Sequence, residues 1–176
     1  MLSFIAQLDQ FAAVPFVQDY PTDRRTLFSP DDQVHAALIW LLGQAQTSIN
    51  LAMYAFTDPA LCVALVQATG RGVKVMLTLD SSQFKDDDEQ ARLATLLDAA
   101  GVDYTVGTSE KGAIMHLKSG VIDGYVVFTG STNWSASGEE LQDNSLTVVT
   151  SHAEAAQFIQ RFAVIHAYQS QHGGTQ

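Results

Sequence analysis

Two short stretches hold residue types that can do chemistry on a phosphoryl group. The first is Ile114-Met115-His116-Leu117-Lys118-Ser119-Gly120-Val121-Ile122-Asp123, and the second is Thr129-Gly130-Ser131-Thr132-Asn133-Trp134. His116 and Lys118 are two apart, so an extended chain points both to one face, and Met115, Leu117 and Val121 to the other. A histidine beside a lysine on an otherwise apolar segment is costly to bury unpaired, so the pair must line a cavity or meet carboxylates. Ser131 and Asn133 share the same two-residue spacing. Asp123-Gly124 is a hairpin turn signal. Folding the chain back there places the residue six before the turn near the residue six after it. An imidazole, an ammonium, a hydroxyl and an amide then converge. Lysine offers a point charge to phosphate oxygens, Ser and Asn offer neutral donors, and histidine can attack phosphorus or move a proton.

The strands that must position these groups come late in an alternating pattern. Residues 2–13 read as a short apolar segment, and 14–29 as a loop with at most one short strand. Ser29-Pro30 reads as an N-cap followed by a first-turn proline, with Val34, Ala37, Leu38, Leu41 and Leu42 at helical spacing behind it. Ser48–Phe56 is apolar on both parities, as in a buried strand. Asp58-Pro59 opens a second helix that Gly70-Arg71-Gly72 stops. Val73–Leu79 is another two-sided strand, ending at Asp80, and Asp86, Asp87, Asp88 and Glu89 open a third helix. Strands are expected at 102–106, 114–122, 125–129 and 146–149, and a closing helix at 152–169. The βαβαβ start with right-handed crossovers, followed by a hairpin, predicts an α/β fold. Its sheet is expected to be mixed and mostly parallel, with helices on both faces.

His116-x-Lys118-x-x-x-x-Asp123 followed by Gly130-Ser131-x-Asn133 resembles the HxKxxxxD–GSxN signature of the phospholipase D superfamily. Leu27-Phe28-Ser29-Pro30, Ser48 to Thr57, Arg71-Gly72-Val73 to Asp80, and Ala100-Gly101-Val102 occur in the same order in the superfamily's small bacterial endonucleases, so the resemblance covers roughly residues 27 to 165. It implies a phospholipase D/nuclease-like fold and a metal-independent phosphodiesterase working through a phosphohistidine, with no cofactor. A complete site needs two motif copies, and this chain has one. The resemblance therefore implies a homodimer around a two-fold axis, with His116 of each chain facing one phosphate. Lys118 and Asn133 would stabilise its oxygens, and Ser131 would support the phosphate site. A carboxylate a little after GSxN orients the nucleophilic histidine in this superfamily. Asp143 matches that place best, although Glu is more usual there and the spacing is about one residue short; Glu139 or Glu140 are the alternatives. Nucleic acid or another phosphodiester is the expected substrate. The leading reading is an endonuclease, with a phospholipase D-type lipid enzyme and a dimeric binding module as the others.

Other polar residues have plainer readings. Asp123 sits on the opposite parity to His116 and before Gly124, which favours a turn or ion-pair role. Lys111 is placed at the cleft rim, where it could contact substrate. Trp134 could stack on a base or pack beneath the site. His35, His152, His166 and His172 show no ligand spacing, and the acidic run at 86–89 reads as a solvated helix start, so no metal site is expected.

The 176 residues fit one domain, expected to span 1–176 with residues 1–26 as a peripheral N-terminal extension. Hydrophobic residues make up 47% and charged residues 16%, and 19 acids against 9 bases give a net charge of −10. A protein that holds nucleic acid by bulk electrostatics is excluded, and a polyanion must meet a local basic spot. The single Cys62 excludes an internal disulfide and reads as core packing. No charged leader with an apolar run opens the chain and no 18-residue apolar stretch follows. A cytoplasmic protein with no stable membrane association is the expectation.

Overall fold

The computed structural model describes residues 3–86 and 88–173. A 3₁₀ helix at Ile5–Phe11 leads into β1 (Arg24–Ser29), α1 (Val34–Gln44), β2 (Ser48–Met53), α2 (Pro59–Gly70) and β3 (Lys74–Asp80). Next come α3 (Ser81–Asp86), α4 (Asp88–Ala99), β4 (Asp103–Gly107), β5 (Lys118–Ile122) and β6 (Val126–Gly130), then α5 (Ala136–Glu140), β7 (Asn144–Thr150) and α6 (His152–His172). Asp87, within the acidic run read as a helix start, lies outside the described residues.

The strands form one seven-stranded sheet in the order β1-β7-β6-β5-β2-β3-β4. It is mixed, as expected, but not mostly parallel. Only β2–β3 and β3–β4 run parallel, while β1–β7, β7–β6, β6–β5 and β5–β2 are antiparallel. The βαβ units account for the parallel half. The hairpin's first strand then docks on β2 in the opposite sense, and β7 and β1 extend that antiparallel half.

Alternation along each strand feeds two cores. Leu51 and Ile49 of β2, Leu77 of β3 and Phe128 of β6 face a large core closed by α1, α2 and α4. Ala52, Val121 and Val127 face a smaller one closed by Ala155, Phe162 and Ile165 of α6. Helices therefore cover both faces. Within the segment before β1, the 3₁₀ helix packs on the core. Ile5, Leu8 and Phe11 are 8% exposed or less and belong to the large core. The Arg25 Nε donates back to Asp9 Oδ1 at 2.6 Å.

Local signals met two fates. Asp58 caps α2, accepting from the Leu61 amide at 2.8 Å, with Pro59 in the first turn. Ser29 does not cap α1. It ends β1, and its hydroxyl donates to the Gln142 carbonyl at 2.7 Å. The turn role passes to Asp32, whose carboxylate accepts from the Phe28 and Ala13 amides at 2.7 Å each, and the helix begins at Val34. Cys62 is fully buried, and burial pushes its thiol up to about 11, as expected of a packing cysteine.

Candidate active site

The strand expected over 114–122 begins only at Lys118. Residues 114–117 are held off the ladder by two bonds. The Met115 amide donates to Asp80 Oδ2 at the end of β3, and the Leu117 carbonyl accepts from the Tyr54 amide at 2.8 Å. His116 sits between these anchors. Its side chain is exposed and its ring packs edge-on against Tyr54, with centroids 4.6 Å apart. Tyr54 is held in turn by Gln83, whose Nε2 donates to the phenolic oxygen at 2.9 Å. Asp80 has no exposure and also takes the amide and hydroxyl of Ser82.

Lys118 is 8% exposed, and its Nζ lies 4.7 Å from the centroid of the same Tyr54 ring. It donates to the His116 carbonyl at 3.1 Å. Burial lowers the pKa of the ammonium, and the Asp80 carboxylate works against that shift. Tyr54 thus contacts both polar members of the first motif half, His116 through a T-shaped ring pair and Lys118 over its face.

The second half arrives along β6. Hairpin pairing sets Ile122 opposite Val126 and Ser119 opposite Thr129. Asp123 and Gly124 take positive φ (54° and 61°) and the Tyr125 amide returns to the Ile122 carbonyl. Tyr125 is therefore an extra residue, and the register is one residue off the symmetric fold-back expected from the turn. Gly130 must be glycine, because a Cβ there would lie 1.9 Å from the Ser145 carbonyl oxygen of β7. Beyond it the chain crosses to the segment after β2, where the Trp134 amide donates to the Ala55 carbonyl at 3.0 Å. The stretch from Tyr54 to Asp58 thereby binds both motif halves, at Leu117 and at Trp134.

Asn133 is half-buried, and its Oδ1 is buried without a hydrogen-bond partner among the described residues. Ser131 is exposed and braces the backbone: its hydroxyl donates to Asn144 Oδ1 at 2.8 Å and accepts from the Ser145 amide at 3.1 Å. Trp134 cannot stack on a substrate. It is 1% exposed, packs edge-on to Phe56 at 5.2 Å, and forms the floor beneath the motif. Lys111 is exposed in the loop before the motif and Asp143 in the turn before β7. No hydrogen bond joins Asp143 to His116 among the described residues. Glu139 is buried against His35 and Asp58 instead, so within one chain none of the three carboxylates weighed for orienting His116 is bonded to it.

Asp123 is tied to the loop before β2. Its carboxylate accepts from the amides of Gln46 (2.9 Å), Thr47 (2.7 Å) and Ser48 (2.9 Å), and from the Thr47 hydroxyl (2.8 Å). Burial works to raise its pKa, but those bonds outweigh it and hold the carboxyl below the usual aspartate value. Asp123→Ala is expected to destabilise the fold by about 2 kcal/mol at pH 7, since bonds to a charged acceptor are individually strong but solvent discounts them here. A depressed carboxylate pKa stabilises the fold above the unfolded value of 3.8 and stops doing so as pH falls through the folded value. Urea unfolding at pH 7 and near pH 3 should show the penalty shrinking in acid.

A cleft of about 200 Å³ opens beside His116, walled by Ile114, Val164 and Tyr168 and carrying Arg161 from α6. Arg161 is exposed. Glu110 shares the lining with Arg161 and His116. Tyr54, Asp80 and Arg161 were not singled out from sequence. Asp80 alone left a signal, a lone acid closing an apolar parallel strand.

The β5–β6 pair brings the HxK segment and the GSxN segment to the same end of the sheet. The profile described as "Cardiolipin synthase, PLD-like domain" matches residues 38–165, and the chain belongs to that family. It is 29% identical to the "Mitochondrial cardiolipin hydrolase" of Xenopus tropicalis over 131 residues, 74% of this chain and 60% of that protein. It is 26% identical to the "Phospholipase D" of Rickettsia typhi over 147 residues, 84% of this chain and 70% of that protein. The fold matches Nuc from Salmonella typhimurium, a phospholipase D family member, with a TM-score of 0.77 at 23% identity, covering 83% of this chain and 94% of that one. NucT from Helicobacter pylori matches with a TM-score of 0.73 at 21% identity, covering 81% and 94%.

Proposed function

We propose that the chain is a phosphodiesterase, most specifically a metal-independent endonuclease acting through a phosphohistidine at a site shared by two copies. The observation that carries this reading is His116 and Lys118 packed on one tyrosine beside an open cleft, with one motif copy per chain. An imidazole nitrogen of His116 attacks phosphorus, and the bond from phosphorus to the leaving oxygen breaks. The leaving oxygen takes its proton from His116 of the partner subunit. That imidazole, now neutral, removes a proton from water. The resulting hydroxide attacks phosphorus, breaks the P–N bond and regenerates both histidines. Lys118 and Asn133 from each chain stabilise the charge on the non-bridging oxygens. Ser131 holds the GSxN backbone, Arg161 meets flanking phosphates, and Lys111 is placed to do the same at the rim.

A lipid substrate is the second reading. Ile114 and Val164 are 47% and 50% exposed on the cleft wall, apolar surface that an acyl chain could cover. Among the described residues, no helix is long and apolar enough to cross a membrane. The test is cleavage of single-stranded DNA, RNA and cardiolipin vesicles, each with EDTA present, at a temperature where circular dichroism shows the chelated protein folded. Nucleic-acid cleavage supports the nuclease, and vesicle hydrolysis alone supports the lipid enzyme. Cleavage that appears only on adding a divalent metal overturns the mechanism.

A further inference from the structure

Behind the motif floor lies a second cluster that the proposed reaction does not use. His35 opens the first turn of α1, Asp58 caps α2, and Glu139 sits on α5. His35 Nε2 lies 3.2 Å from Asp58 Oδ2 and 3.7 Å from Glu139 Oε2, and one ligand atom from each of the three falls within 4.8 Å of the others. Glu139 is 1% exposed, and neither of its carboxylate oxygens has a hydrogen-bond partner among the described residues; His35 Nε2 has none either. Asp58 keeps Oδ1 on the Leu61 amide and turns Oδ2 to the cluster.

We propose that His35, Asp58 and Glu139 bind one divalent first-row transition cation, of which zinc is the test ion, as a structural site separate from the phosphodiesterase centre. Two carboxylates and an imidazole converge here with both Glu139 oxygens and His35 Nε2 buried and unpartnered, an arrangement of donor atoms that a dication satisfies. The spacing suits the ion. Bonds of about 2.1 Å to a tetrahedral zinc place neighbouring ligand atoms about 3.4 Å apart, between the 3.2 and 3.7 Å observed here. The other ring nitrogen, His35 Nδ1, faces Glu140 Oε1 at 4.0 Å, on the side where a ligating histidine commonly meets an acceptor. His35 is half-buried, which leaves a path from solvent and room for a water as fourth ligand. The Asp58 and Thr57 amides both donate to the Trp134 carbonyl, at 3.0 and 2.8 Å, so a bound ion would also stiffen the segment next to Asn133.

The test uses the full chain, stripped with EDTA, dialysed, and titrated with zinc chloride by calorimetry and thermal melting. One zinc per chain is expected, with a rise in Tm of about 5 °C or more at saturating ion. Glu139→Gln keeps the size of the buried side chain while removing a ligand carboxylate, so it should fold without metal. It should lose the zinc-induced Tm rise and at least about 100-fold in affinity, more than removal of an outer partner of a ligand brings. His35→Ala should do the same. Failure of the wild-type chain to bind one zinc overturns the proposal. So does zinc binding that both substitutions leave unchanged, which places the ion elsewhere. Neither result bears on the reaction at His116.

Discussion

Replacement of His116 by alanine is expected to lower phosphodiester cleavage by at least about 10,000-fold, since removal of the group that forms the covalent intermediate also removes the general acid and base. The Tm should stay near that of wild type. His116 is exposed and packs against a tyrosine ring outside the core, so no core volume is lost. Its carbonyl, which accepts from Lys118, remains. A mixing experiment makes the same substitution report on site sharing. Equal amounts of wild-type and His116→Ala chains, unfolded and refolded together, pair at random. If each site needs His116 from both subunits, about one quarter of the wild-type activity per dimer survives; if each chain works alone, about one half does. Activity near one half, or full activity of the pure variant, would overturn the shared site.

Lys118→Met should separate activity from stability. One preorganised cationic donor near the developing charge is worth about 100- to 1,000-fold in kcat, and a symmetric dimer loses two. Methionine keeps an unbranched apolar stem as far as the ε position while removing an ammonium that lies over Tyr54, on a residue 8% exposed, and that is bonded to a neutral carbonyl. The fold should therefore be unchanged or stabler by about 1 kcal/mol in urea unfolding. The sign of the pH dependence follows from the lowered lysine pKa. A buried charged lysine burdens the folded state while it is protonated, and that burden lifts as pH rises through the folded value toward 10.5. The gain from methionine should be greatest near neutral pH and fade in alkali. A variant that keeps its kcat and loses only KM would place Lys118 outside the transition state.

Much of the fold was open to pattern reading. Alternating apolar runs at 48–56 and 73–79 mark β2 and β3, and Asp58-Pro59 marks the start of α2, because these features act within one turn or one strand. Ser29-Pro30 misled for the same local reason. The cap residue was claimed by the Gln142 carbonyl, more than 100 positions away, and the turn passed to Asp32. The pairing sense of β5 against β2, which makes the sheet mainly antiparallel, depends on where the hairpin docks, and no residue pattern encodes that.

By itself the sequence determined which groups the site has to work with: His116, Lys118, Ser131 and Asn133 at fixed spacings, a turn at Asp123-Gly124, and a single motif copy. Chain geometry sets spacings of two to eight residues whatever the fold. Tertiary structure alone decided that Tyr54 and Asp80 hold the motif in place, that Trp134 is sealed beneath it, that Arg161 enters the cleft, and that His35 meets Asp58 and Glu139. Each of those meetings joins side chains separated by more than 20 residues, so it exists only once two cores have closed on opposite faces of one sheet.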